Sequence, residues 1–207
     1  MKILEIQSSA RQQDSISRLL SQEFLAKLKK SVSTIEHKQR DVGSQPPAHV
    51  DQLWTKANYF EPKERTVEMI TALSESESLI EELFWADYLL LGVPMYNLSV
   101  PSTLKAYIDN VVRINRTFSF DPQSYSFQGL LINKKALIIT PSAGDFTPGT
   151  PLGTMNFCET YLRSLLNFIG IKNINIVSVP NQFMSDDVRQ QETEIARTKL
   201  NNLATNW

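Results

Sequence analysis

The stretch Tyr88-Leu89-Leu90-Leu91-Gly92-Val93, followed at once by Pro94-Met95-Tyr96-Asn97-Leu98-Ser99-Val100-Pro101, decides the fold. Its first half is apolar without alternation, the mark of a strand buried on both faces, as in a parallel sheet. Parallel strands need long crossover connections, usually helices. Both flanks supply one. Upstream, Arg65 to Ala86 places Met69, Ile70, Leu73, Leu79, Ile80, Leu83 and Phe84 at helical spacing. Downstream, Pro101 to Val112 does the same with Leu104, Tyr107, Ile108 and Val111.

The alternation extends to both ends of the chain. Lys2 to Gln7 reads as a strand, Ser15 to about Leu28 as an amphipathic helix, and Ser33 to about Arg40 as a weaker strand. Asp41 to Pro62, rich in proline and aromatics without a period, reads as a long surface excursion. Phe118 to Ile132 is a loop or short hairpin, and Ala136 to Thr140 another buried strand. Leu152 to Ile169 is a helix that Gly170 terminates. Ile174 to Val179 is the last strand, and Asp186 to Leu203 a polar closing helix. Five strands separated by helices predict an α/β fold: a three-layer sandwich around a five-stranded parallel sheet. Right-handed crossovers favour strand order 2-1-3-4-5, the flavodoxin-like arrangement.

Composition narrows the function classes. With 207 residues the chain is expected to form a single domain, 1–207, large enough to need no metal or disulfide. The 21 basic and 22 acidic residues leave a net charge of -1, which argues against a sequence-blind nucleic-acid binder. The one cysteine, Cys158, excludes an intrachain disulfide framework or a cysteine-rich metal site. It is expected to be core, with Met155, Leu162 and Leu165. No apolar run is long enough for a membrane helix, and the opening run is broken by Glu5, so a cytoplasmic protein without membrane association is expected.

In this fold ligands sit beyond the carboxyl ends of the strands, near the switch point between the first and third. Three loops meet that rule. The first, Ser8 to Ser17, lacks the glycine patterns of nucleotide-triphosphate and dinucleotide loops, but it sets Ser9, Ser15 and Ser17 around a helix N-terminus. Free N–H groups and the helix dipole there suit a single terminal phosphate. The alternative is that Ser15 or Asp14 is simply a helix cap. The second loop, Pro94 to Pro101, is apolar and aromatic, fit to pack on a flat ring or to be covered by another subunit. The third, Pro141-Ser142-Ala143-Gly144-Asp145-Phe146, offers small residues for close backbone approach, or is an ordinary turn.

Val93-Pro94-Met95-Tyr96-Asn97 with Ser102-Thr103-Leu104-Lys105-Ala106-Tyr107-Ile108-Asp109 resembles the flavin loop and following helix of the FMN-dependent NADH-azoreductases, within the flavodoxin-like NAD(P)H:quinone oxidoreductases. Ser8-Ser9, Ser15-Ile16-Ser17, Thr117-Phe118, Lys134 to Thr140 and Phe168-Ile169-Gly170-Ile171 extend the likeness over essentially the whole chain. The resemblance implies that Ser9, Ser15, Ile16 and Ser17 hold the FMN phosphate. It implies that Met95, Tyr96, Asn97 and Leu98 line the isoalloxazine, with Pro141, Ser142, Ala143 and Gly144 along another edge. The family usually carries Ser-Arg-Gly-Gly in that last loop and an aromatic where Leu98 stands. Here the arginine is lost and Pro141 removes an N–H.

The resemblance further implies an oxidoreductase taking hydride from NADH or NADPH and passing it to a quinone or azo compound in two half-reactions, as a homodimer with its sites at the interface. No side-chain acid or base is assigned, because the flavin carries the chemistry. His37 and His49 fall outside the switch-point loops. Arg11 and Arg113 are the candidates for a dinucleotide 2′-phosphate. Two other classes stand beside the enzyme: a flavodoxin-type electron carrier, disfavoured by the near-zero charge and the length, and a regulatory or binding module that kept the fold without turnover.

Overall fold

The buried runs pair as one parallel sheet in the computed structural model, which describes residues 1–205 and 207. The strands are β1 (Lys2–Gln7), β2 (Glu36–Asp41), β3 (Tyr88–Gly92), β4 (Phe118–Asp121), β5 (Ser126–Gly129), β6 (Lys135–Pro141) and β7 (Asn173–Val179). The helices are α1 (Ile16–Ser31), α2 (Gln52–Tyr59), α3 (Val67–Trp85), α4 (Ser102–Val111), α5 (Phe157–Phe168) and α6 (Asp186–Thr205). The five-stranded sheet runs β2-β1-β3-β6-β7, and β4 and β5 form a separate antiparallel hairpin. With that hairpin set aside, the order is the expected 2-1-3-4-5.

Alternate residues of the central strands go to separate clusters, as the pleat requires. Leu89, Leu91, Ala136 and Ile138 join Leu79, Ile80 and Leu83 of α3, Leu104 and Tyr107 of α4, and Cys158 and Leu162 of α5. Leu90, Leu137, Ile139 and Val177 join Leu20, Phe24 and Leu28 of α1, and Ala196 and Leu200 of α6. Burial on both sides is why the central strands read as unbroken apolar runs. Glu159 of α5 accepts from Thr140 Oγ1 (2.9 Å) and Ser178 Oγ (2.6 Å), pinning that helix to the last turns of β6 and β7.

Several expectations need correction. The Asp41 to Pro62 excursion contains α2, whose start is marked by Asp51 accepting from Trp54 N–H at 2.7 Å. Its apolar face is only Trp54 and Ala57, set on Met69 and Leu73, too sparse to show a period. Ile70 and Phe84 point to solvent rather than into the core. Met155 lies in a 3-10 turn (Gly153–Met155) ahead of α5 and is exposed, so it does not pack with Cys158. Cys158 itself is fully buried, and burial pushes its thiol up to about 12. Of the two readings offered for Phe118 to Ile132 the short hairpin holds, with β4 paired to β5 up to Gly129.

Gly170 ends α5 with φ +109°, as its type suggested. The hairpin then crosses that end in backbone contact: a Cβ on Gly129 would lie 2.1 Å from Gly170 N. Gly129→Ala is therefore expected to destabilise the protein by about 1–3 kcal/mol or more, since backbone must shift to admit a methyl group. Urea unfolding of the variant against wild type measures it.

Candidate functional site

The ladder of the sheet continues past the strand ends and sets the three loops side by side. Gly92 O accepts from Ser8 N–H and from Ser8 Oγ, both at 3.0 Å. Ile139 O accepts from Val93 N–H at 2.9 Å, and Pro141 O from Met95 N–H at 2.8 Å. Val179 O accepts from Ser142 N–H at 3.1 Å. Each loop is thus held by its neighbour, and together they enclose one side of a cavity of about 1120 Å³. Ser9, Ser15, Ile16, Ser17, Met95, Tyr96, Pro141, Ser142 and Ala143 all line it. Tyr96 Oη accepts from Ala10 N–H at 3.3 Å, joining the first loop to the second.

At the first loop the helix end is open. Ser15 has the extended backbone of a cap residue but makes no capping bond, against the simple-cap alternative. Its Oγ lies 3.2 Å from Ser17 Oγ instead. The first intrahelical bond runs from Leu19 N–H to Ser15 O (2.9 Å), so the N–H groups of Ile16, Ser17 and Arg18 have no helical acceptor. Asp14, the other proposed cap, has left-handed backbone at φ +55° and precedes Ser15, which holds the cap position.

The second loop is a two-residue turn closed by Tyr96 N–H to Ser99 O (2.9 Å) and Ser99 N–H to Tyr96 O (3.0 Å). Asn97 and Leu98 occupy its centre with φ +47° and +69°. That is the left-handed pair that primed turns require, a setting that favours Asn followed by Gly. Because they form the turn tip, Asn97 and Leu98 fall outside the cavity wall, although Met95 and Tyr96 are in it.

The third loop is not an ordinary turn. The carbonyls of Ser142, Ala143 and Gly144 accept from the N–H groups of Gln182 (3.0 Å), Phe183 (3.1 Å) and Asn181 (3.3 Å). Among the described residues, the Ala143 and Gly144 N–H groups donate to no protein acceptor. Gly144 also falls outside the wall, and a Cβ there would meet Leu152 and Phe146 at ordinary contact distances, so no close approach demands glycine.

Other candidates lie elsewhere. His37 pairs with Glu5 at 2.9 Å on the sheet, and His49 is exposed. Arg113 is fully buried against Glu77, Ser76 and Asn58, away from the cavity, whereas Arg11 lines it. The sequence reading passed over Arg18, Asp41 and Gly43. Arg18 holds Asp41 through both guanidinium nitrogens at 2.6 and 2.8 Å. A clue was present: a cation in the first turn of a helix opposes the dipole and needs a reason. The far wall, Gln22 of α1 with Gln190, Thr193 and Arg197 of α6, was also unforeseen. Arg197 is committed to Glu23 and Glu194.

Burial alone would raise the Asp41 carboxyl. Hydrogen bonds from Arg18 and Ser44 and the Arg18 charge outweigh it and hold the group below its ordinary 3.8. A depressed folded value means that stability from this carboxylate is present in full above the unfolded value and is lost as pH falls through the folded one. Asp41→Asn is therefore expected to cost about 1–3 kcal/mol at pH 7, the range of charged hydrogen bonds. Its deficit against wild type should narrow as pH drops below 3.8. Denaturant titrations at pH 7 and pH 3 make the comparison.

The chain was compared with known proteins. A family model described as flavodoxin-like fold matches residues 1–203. The FMN-dependent NADH:quinone oxidoreductase 2 of Trichormus variabilis is 41% identical over 206 residues, 99% of each chain. The FMN-dependent NADH:quinone oxidoreductase of Nostoc punctiforme is 40% identical over 207 residues, all of both. Among solved structures, an azoreductase from Bacillus anthracis superposes with a TM-score of 0.90 at 21% identity, covering 100% of both chains. An FMN-dependent NADH-azoreductase from the same species, in complex with FMN, gives 0.88 at 22%, covering 100% of this chain and 99% of that one. The family model and the full-length relatives establish that the chain belongs to the flavodoxin-like family of the FMN-dependent NADH:quinone oxidoreductases.

Proposed function

We propose that the protein is an FMN-dependent oxidoreductase that takes hydride from NADH and delivers it to a quinone. The observation that carries the reading is one cavity walled at once by the open N-terminus of α1 and by the Met95–Tyr96 shelf. The unfilled donors fit the group. The N–H groups of Ile16, Ser17 and Arg18 with the Ser9, Ser15 and Ser17 hydroxyls suit a phosphate. Met95 and Tyr96 suit the face of a ring system, and the Ala143 N–H suits an acceptor on its edge. When bound, FMN supplies the hydride chemistry of both half-reactions.

The residues of this chain then bind and orient. The α1 end fixes the phosphate, and with it the reach of the ring system. Leu98 and Asn97, on the turn tip, border the acceptor's approach. The cavity, about 1120 Å³, exceeds the roughly 300–1,000 Å³ of ordinary small-ligand pockets, in keeping with space for a flat substrate beside the cofactor. A single shared crevice supports a ping-pong order, in which the oxidised nicotinamide leaves before the acceptor enters, and planar aromatics, azo compounds included, as acceptors.

The finer reading follows from the same features. The two core clusters support a three-layer sandwich, and a family match over residues 1–203 supports one domain. The exposed aromatics Tyr125 and Phe127 of the hairpin, 83% and 59% accessible, and Phe183 at the cavity mouth support burial by a second copy of the chain. No helix among the described residues is long and apolar enough to cross a membrane.

The purified protein is expected to be yellow, or to turn yellow with FMN. It should bleach on anaerobic NADH addition and give parallel double-reciprocal lines with a quinone. A protein that neither carries nor takes up FMN overturns the reading. Sedimentation should give twice the chain mass; a monomer at micromolar concentration removes the interface cover. Replacing Ser17 by Ala should weaken FMN binding roughly tenfold, one charge-assisted hydrogen bond.

A further inference from the structure

Arg18 lines the cavity and is 11% exposed, yet its charge is already answered by Asp41. Its remaining bonds run to backbone. Arg18 Nε donates to Arg11 O at 2.9 Å, and one terminal nitrogen donates to Ser9 O at 2.8 Å while also holding Asp41. A trans peptide unit points its N–H opposite its C=O. Taking the Ser9 and Arg11 carbonyls onto the guanidinium therefore turns the N–H groups of Ala10 and Gln12 the other way. The Ala10 N–H shows the result: it meets Tyr96 Oη on the cavity wall. The same bonds withdraw two carbonyl oxygens that would otherwise repel an anion.

Gly43 protects the arrangement. A Cβ at this position would lie 2.2 Å from Ser9 O and 3.1 Å from Arg18. Any side chain there would drive the Ser9 carbonyl off the guanidinium. Asp41 Oδ1 also accepts from the Gly43 and Ser44 N–H groups, each at 3.1 Å, so the end of β2, the guanidinium and the first loop form one unit.

We propose that Arg18 is the positioning residue of the anion cradle: held by Asp41, it takes up the carbonyls of the first loop and so turns the Gln12 N–H toward a bound phosphate while the Ala10 N–H ties the loop to Tyr96. The assignment rests on the FMN reading above and adds a residue that acts through the backbone rather than as a counter-charge.

FMN and riboflavin differ only in the phosphate, so their affinity ratio isolates the cradle. Full-length protein stripped of flavin is titrated with each, by quenching of flavin fluorescence, for wild type, R18A, R18K and G43A. The expected result for R18A is a fall of roughly tenfold or more in the FMN-to-riboflavin ratio, with riboflavin affinity changed by less than about threefold. R18K should recover little, because one ammonium cannot span both carbonyls and the carboxylate. G43A should lower the ratio although Arg18 is intact. An unchanged ratio in R18A, a parallel loss of both ligands, or full recovery in R18K overturns the proposal, the last by showing that charge alone suffices. If R18A fails to fold, R18K and G43A decide by the same criteria. Wild type that binds FMN no better than riboflavin overturns the phosphate reading of the site, and this proposal with it. Wild-type preference for FMN that persists in the variants overturns this proposal alone.

Discussion

The parallel hydrogen-bond ladder runs on beyond the strands, and everything at the site depends on that continuation. Ser8 on Gly92, Val93 on Ile139, Met95 on Pro141 and Ser142 on Val179 are ladder bonds made by loop residues. They fix the relative height of three loops that lie far apart in the chain. Parallel strands all present their carboxyl ends on one edge of the sheet, so each extended rung adds a wall to the same crevice. An antiparallel sheet of the same residues would send neighbouring loops to opposite edges.

The end of that crevice proposed to take an anion presents oriented dipoles more than free charge. Arg18 is neutralised by Asp41, and Arg197 by Glu23 and Glu194. The N–H groups of the first turn of α1 have no helical acceptor, the Ser15 and Ser17 hydroxyls bond to each other, and Arg11 lines the crevice without an ion pair among the described residues. A net charge of -1 is compatible with such a site because backbone N–H groups and a helix dipole need no basic surface. The ring end is different in kind. Leu98 sits in left-handed backbone, which costs a residue with a Cβ roughly 1–2 kcal/mol. The paired bonds between Tyr96 and Ser99 and the packing of Met95 hold it there. Local strain of this kind is tolerated where the surrounding structure over-determines the backbone, as it does beside the crevice.

The sequence by itself determined the sheet and the two loops that matter most. Unbroken apolar strands, helix-spaced apolar residues between them and Gly170 at a helix end are local signals, and each came out as an element. The hydroxyls around Ser15 and the aromatic shelf at Tyr96 were legible for the same reason: strand order assigns loops to an edge before any side chain is placed. Tertiary structure alone decided the rest. Asn97, Leu98 and Gly144 left the wall because the tip of a tight turn and the pairing of Ser142 to Gly144 with Asn181 to Phe183 are set by contacts between distant segments. α2 emerged only where Trp54 and Ala57 found Met69 and Leu73. The Arg18–Asp41–Gly43 unit joins the first helix to the end of the second strand, and no period or motif within either segment encodes a bond between them.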